Sequence, residues 1–219
     1  MKEILSFLLD IEANNNREWF NENRKRHTKA HDFFLHVTGV LINEIRSFDK
    51  EIPFLESQKC TVRIYRDLRF SLDKRPYKNY FGAFIAYQGR NAGNPGYYIH
   101  IQPGQSFVSG GIYKPSPQNL KAIRTEIFHY ADELIDIINE SKFELNFELI
   151  DDEKLKTAPK GFPSEFEHIN LLRYKSFTPV KYISDEELLS AEIIESIVKD
   201  FKLLKPINQY LYNAIKQNQ

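Results

Sequence analysis

Residues 80–113, YFGAFIAYQGRNAGNPGYYIHIQPGQSFVSGGIY, carry the reading that decides the fold. Apolar residues recur at every second position, β-branched and aromatic types accumulate, and Gly and Pro interrupt the run, a pattern of strands joined by turns. Three strands are expected here: 80–88, 96–102 and 106–113, with 89–95 as a polar loop. Gln102-Pro103-Gly104-Gln105 places Pro and Gly at the centre of a type II turn, so the second and third strands should be antiparallel neighbours. Another strand is expected just upstream, near 61–66.

Helices flank this region. Ile4, Leu5, Leu8, Leu9 and Ile11 give a short amphipathic helix, and Asn14-Asn15-Asn16 then offers a stop and a new N-cap. Three- and four-residue spacing from Phe20 through His27, Phe34, Leu41 and Ile45 to Phe48 predicts a long helix. Beyond Pro115 and Pro117, Leu120, Ile123, Ile127, Ala131, Leu134 and Ile138 predict one helix to about Glu140. Alternation of Phe143, Leu145, Phe147 and Leu149 predicts a strand over 142–150, and 174–183 reads as extended. Ser184 with Glu187 forms a capping box, and Pro206 predicts that the last segment is two helices. With no repeat and no linker, the expectation is one α+β domain over 1–219. Its mainly antiparallel sheet is covered on one side by helices from both chain ends, in two layers.

The 219 residues, 42% of them hydrophobic, suffice for one core. Thirty basic and thirty acidic residues cancel, which argues against broad nucleic-acid binding. Locally the balance breaks: between Lys59 and Lys78 seven Lys or Arg face only Asp67 and Asp73, whereas between Glu126 and Glu153 ten carboxylates face one lysine. The single Cys60 excludes an internal disulfide and a cysteine-based metal cluster. The opening apolar stretch is interrupted by Asp10 and Glu12, so it reads as helix rather than signal peptide. No run reaches the roughly 18 to 20 apolar residues of a membrane span, and a cytoplasmic protein without membrane association is expected.

The most unusual stretch is RIYRDLRFSLDKRPYK, residues 63–78. As a strand it would present Arg63, Tyr65, Asp67 and Arg69 on one face and Val62, Ile64, Leu68 and Phe70, with Arg66 among them, on the other. Guanidiniums bracketing a carboxylate suit bidentate recognition of phosphate or carboxylate. Arg63, Arg66, Arg69, Lys74, Tyr77 and Lys78 are therefore the candidate ligand-binding residues. Asp67 and Asp73 are the candidate acids or bases, although neighbouring guanidiniums would depress their pKa and favour an orienting role. Arg–Asp networks also fasten loops without binding anything, which is the competing reading.

Arg63-x-x-Arg66-Asp67-x-Arg69-Phe70 followed by Asp73-Lys74-x-Pro76-Tyr77-Lys78 resembles the signature of an uncharacterised family, domain of unknown function 2461. Asn15-Asn16-Arg17-Glu18-Trp19-Phe20, Gly96-Tyr97-Tyr98 and Pro159-Lys160-Gly161-Phe162 resemble it too. The resemblance spans nearly the whole chain and implies a one-domain length, with no activity to carry over.

Other chemistry is thinly represented. His27 and His31 lie four apart on one helix face, but the zincin glutamate is absent, so no metal site is assigned. His100 should share a sheet face with Tyr98, opposite Ile99 and Ile101. No phosphate loop, dinucleotide fingerprint or nucleophile elbow occurs, and no cofactor is implied. The functional expectation is recognition of an anionic ligand, a phosphorylated small molecule or a nucleic-acid end, by the Arg/Lys/Tyr cluster, with no pattern that defines a reaction. The alternative is a noncatalytic structural or protein-interaction module whose Arg–Asp cluster stabilises the fold.

Overall fold

In the computed structural model, which describes residues 1–69, 71–150 and 153–217, the chain runs through helices α1 (Lys2–Ala13), α2 (Arg17–Glu22), α3 (Arg24–Phe48) and α4 (Ser57–Cys60) into strands β1 (Phe81–Ala86), β2 (Gly96–Ile101) and β3 (Ser106–Ser109). It continues through α5 (Pro117–His129), α6 (Ala131–Asn139), α7 (Ser141–Glu144), β4 (Glu148–Leu149), α8 (Ile169–Leu172), β5 (Pro179–Ile183), α9 (Asp185–Leu189) and α10 (Ile193–Gln217). The five strands form one sheet of order β1-β2-β3-β5-β4, every pair antiparallel. The fold is two-layer α+β, as expected.

The period of two sorts the sheet into faces. Phe81, Ala83 and Ile85 pair with Ile101, Ile99 and Tyr97, and all six are buried beneath the helices. Phe84, Tyr98, His100, Phe107 and Tyr182 occupy the opposite face. Helix α3 packs on β1, and α10 packs on β2 and β3, so the two long helices close the core from opposite ends of the chain. The β2–β3 turn forms as read, with Gln105 N–H donating to the Gln102 carbonyl and Gly104 at φ +68°, a conformation that glycine adopts without strain. The capping box of Ser184 and Glu187 is present.

At the end of α3 the Asp49 carboxylate is 0% exposed, and its Oδ2 accepts the hydroxyls of Tyr87 and Tyr97, each at 2.7 Å. Oδ1 accepts the Glu51 N–H. The Lys205 ammonium, on α10, donates to the Phe48 carbonyl, meeting one of the unpaired carbonyls at the C-terminus of α3.

Several expectations are corrected. Residues 61–66 are not a strand but carry isolated bridges, Thr61 with Ala83 and Tyr65 with Tyr77. After Val62 bonds to Gly82 the chain turns away and pairs with its own downstream segment, through Arg66 N–H to Pro76 O and Lys78 N–H to Ile64 O. Pro76 accepts but cannot donate, which stops a ladder from growing. Phe70, assigned to the apolar side of that strand, lies outside the described residues. Over 142–150 only Glu148–Leu149 is strand. Phe143 and Phe147 are buried four residues apart, the spacing of a helical turn, whereas Leu145 is 84% exposed, so the apparent alternation was not a two-residue period.

The 120–138 helix breaks at Tyr130, at φ −138° and ψ 49°, into α5 and α6. Conversely, α10 continues through Pro206. That proline is exposed, and the stripe Phe201, Leu204, Ile207, Leu211 packs across it, so continuous burial outweighs the roughly 3 kcal/mol propensity cost. Among the described residues no helix is long and apolar enough to cross a membrane.

Asp49→Ala would leave two buried phenols without their acceptor, and we expect it to lower unfolding free energy in urea by about 2–4 kcal/mol. Tyr97→Phe, which leaves Asp49 bonded to Tyr87, should cost less than half as much.

Candidate functional site

The 63–78 loop is built from a repeated local device. In Asp67-Leu68-Arg69 the carboxylate accepts the backbone N–H two residues on (3.2 Å) and both Nε–H and Nη2–H of Arg69 (3.0 and 2.6 Å). Asp73-Lys74-Arg75 repeats it, with the backbone N–H at 3.0 Å and Arg75 Nη2 at 2.7 Å. These are Asx turns reinforced by a guanidinium. Asp73 also binds Arg66 Nη1 at 2.5 Å, a pair in which the side chains are only 25% and 35% exposed, whereas Arg69 and Asp67 stand at 77% and 46%. The Arg75 and Arg66 hydrogen bonds hold the Asp73 carboxyl far below the usual carboxylate range, and the Arg69 bonds lower that of Asp67. Both aspartates are thus weak proton acceptors.

The remaining candidates separate. Lys74 reaches the Leu68 carbonyl at 3.4 Å. Tyr77 is buried, its ring stacked on Phe20 with centroids 4.0 Å apart. Its backbone is clamped by Asn15, whose amide accepts the Tyr77 N–H at 3.0 Å and donates to the Tyr77 carbonyl at 2.9 Å. The asparagine cluster therefore does more than end a helix: Asn16 caps α2 through Trp19 N–H, and Asn15 holds the arginine loop in place.

Arg63 and Lys78 face elsewhere. With Arg90 they line an open groove of about 570 Å³, bounded by His31 and Thr61. Among the described residues no Asp or Glu lines it. Lys78 Nζ donates to the Arg63 carbonyl at 2.9 Å, and Arg90 Nη1 donates to the Thr61 carbonyl, so backbone oxygens rather than carboxylates position these cations. Burial, then the charges of Arg63, Arg90 and Arg66, push the Lys78 pKa down. Arg90 sits in an ordinary polar loop, where nothing in the local sequence marks it out.

Arg90 also borders a cavity of about 640 Å³ over the open face of the sheet. Its floor includes Tyr98 and His100. If Nε2 of His100 carries the proton, it donates to Gln102 Oε1 (2.9 Å) and Nδ1 accepts the Tyr98 hydroxyl (3.1 Å), giving the histidine partners that sequence spacing did not reveal. Burial lowers the His100 pKa, partly offset by the Gln102 bond. A Cβ on Gly82 would lie 2.4 Å from the Tyr98 hydroxyl oxygen, so glycine makes room for this arrangement.

His27 packs as an aromatic ring against Phe20, Phe7 and His31, with centroids 5.1, 5.5 and 5.5 Å away. Burial first, then the charge of His31, lower its pKa to about 4.

These observations define a two-layer α+β protein with a charge-paired surface loop beside a cationic groove and an apolar sheet-face cavity. The chain belongs to the family described as "Conserved hypothetical protein (DUF2461)", whose model matches residues 3–210. No curated protein and no solved structure gives a significant match.

Asn15→Ala should cost about 1–2 kcal/mol in urea unfolding because two backbone bonds to Tyr77 are lost together, whereas Asn14→Ala, at an exposed site, should be near neutral. For His27 the folded pKa lies below the unfolded value near 6.5, so its contribution is complete above that pH and is lost as pH falls towards 4. The urea midpoint of the wild type should fall across this interval, and His27→Leu should fall less; equal slopes would refute the assignment.

Proposed function

We propose that the protein binds a small organic anion, phosphorylated or carboxylated, at Arg63, Lys78 and Arg90. The observation that carries this reading is the gathering of three cations on one groove that no described carboxylate lines. Such a cluster repels itself and is stabilised by an anion that enters it. Backbone carbonyls anchor Lys78 and Arg90 while leaving other N–H donors of each group for a ligand. Within this reading Arg66, Arg69, Lys74 and Tyr77 hold the loop that delivers Arg63 and Lys78, and Asp67 and Asp73 orient guanidiniums rather than move protons.

A second reading is a noncatalytic module in which the whole arginine loop is structural. It is favoured by the forks of Arg66, Arg69 and Arg75, all engaged by Asp73 or Asp67.

Inorganic pyrophosphate at low salt separates the two. The anion-binding reading expects it to raise the melting temperature of the wild type and of Arg69→Met, with Arg63→Met and Lys78→Met each binding at least tenfold more weakly, about 1.4 kcal/mol. Arg63→Met should leave the free protein as stable as the wild type or slightly more so. No stabilisation of the wild type, together with large losses of stability in all three variants, would leave the structural reading standing.

A further inference from the structure

We propose that the cavity on the open sheet face is the second half of the same site, and that it receives the planar aromatic or heteroaromatic body of the anion held by Arg63, Lys78 and Arg90. This inference rests on the anion-binding reading above.

Shape supports it first. An antiparallel sheet with helices on one side commonly leaves its other face to water. Here that face is walled by the 90–94 loop and the 110–116 segment, and the half-open volume of about 640 Å³ lies within the range of small-molecule sites.

The chemistry of the floor narrows the occupant. The His100 ring lies 4.3 Å from Tyr80 and 4.6 Å from Phe107, the latter pair inclined by only 13°, and Phe107 in turn meets Tyr182 edge-on at 6.2 Å. Because these rings spend faces on one another, what the row offers a flat aromatic ligand is chiefly ring edges, an edge-to-face contact. The polar atoms at the centre of the floor are engaged already: both His100 nitrogens are bonded, the Tyr98 hydroxyl is shared with one of them, and the Asn94 amide donates to the Tyr87 carbonyl, which leaves single hydroxyls such as those of Tyr80, Thr178 and Tyr182 around it. Over the centre of the floor a polyhydroxylated body such as a sugar would surrender hydrogen bonds to water without replacing them, whereas an aromatic ring loses none.

Electrostatics joins the two halves. Arg90 lines both the groove and the cavity, and the Lys78 ammonium stands 5.6 Å from the centre of the Tyr80 ring at the cavity edge. No described carboxylate lines the cavity either, so the positive rim is not cancelled. The ligand class that satisfies all three constraints is an aromatic acid or aromatic phosphate, with sugar phosphates lacking an aromatic ring disfavoured.

Two fluorescent probes that share one aromatic body test this: N-phenyl-1-naphthylamine, which is neutral, and 8-anilinonaphthalene-1-sulfonate, which adds an anionic group. With the full chain both should bind at one site per molecule, the sulfonate at least tenfold more tightly at low salt. Arg90→Met should abolish that advantage while leaving the neutral probe within twofold. Phe107→Ala should weaken both probes at least fivefold. Tyr182→Ala, altering a side chain that is 64% exposed and thus tolerant of change, should weaken both as well should Phe107→Ala fail to fold. Glucose 6-phosphate should not displace either probe at concentrations where phenyl phosphate displaces the sulfonate. If neither probe binds the folded protein while pyrophosphate still stabilises it, the aromatic cavity is refuted and the anion groove survives. If both bind but Arg90→Met leaves the sulfonate's advantage intact, the union of groove and cavity is refuted. Self-association that excludes the probes would also overturn the proposal, because a second copy would then be the occupant.

Discussion

A carboxylate with no access to water holds this fold's two layers in register. Asp49 sits at the end of the long N-terminal helix, and a buried charge is tolerable only when its acceptor capacity is met. The phenols of Tyr87 and Tyr97, one just beyond β1 and the other on β2, meet it at 2.7 Å each. The helix end, the first two strands and, through Lys205 on the Phe48 carbonyl, the C-terminal helix converge at one point. Once that face of the sheet is committed to the helices, the two-residue period leaves Phe84, Tyr98, His100 and Phe107 on the other. The aromatic floor of the cavity is thus the far side of the same constraint that builds the core.

The arginine loop shows how dense charge can be organised without a buried ion-pair core. Two Asp-x-Arg turns satisfy carboxylate, backbone N–H and guanidinium together, and Arg66 bridges to the second of them. Most of these side chains keep contact with water, so their value lies in shaping the loop more than in raw stability. Held there by Asn15, the loop delivers Arg63 and Lys78 to a groove completed by Arg90 from between β1 and β2. What distinguishes these three cations is the absence of a described acidic neighbour along the groove wall, a property of the assembled surface rather than of any one segment.

Much of the architecture was legible because it depends on local periodicity. Alternation in 81–86, 96–101 and 106–109, the Pro-Gly turn before Gln105 and the Ser184 capping box all reappear, since each is decided within a few residues, whereas the strand expected to run on to Tyr113 ends at Ser109, before Gly110 and Gly111. The errors came where local and distant terms compete. Thr61–Arg66 alternates like a strand, yet after Val62 it pairs with residues 76–78 instead of extending the sheet. Phe143 and Phe147 satisfied both a helical and an alternating reading until the exposure of Leu145 decided between them. Pro206 opposes a helix by propensity, but an unbroken apolar stripe on both sides of it carries α10 through.

The sequence by itself determined the α+β class, the antiparallel hairpin at 102–105, the family resemblance and the cationic character of residues 63–78, because composition, period and turn chemistry are short-range properties. Only the tertiary structure decided which cations of the described residues are hydrogen-bonded to a carboxylate and which line the groove. Asp67 and Asp73 engage Arg69, Arg66 and Arg75, while Arg63 and Lys78 turn towards Arg90, which a sequence reading has no reason to single out. Pairing of charges is settled by distances between side chains brought together by the fold, and residues 12 or 27 positions apart, as Lys78 and Arg63 are from Arg90, become neighbours only when the sheet and its loops close.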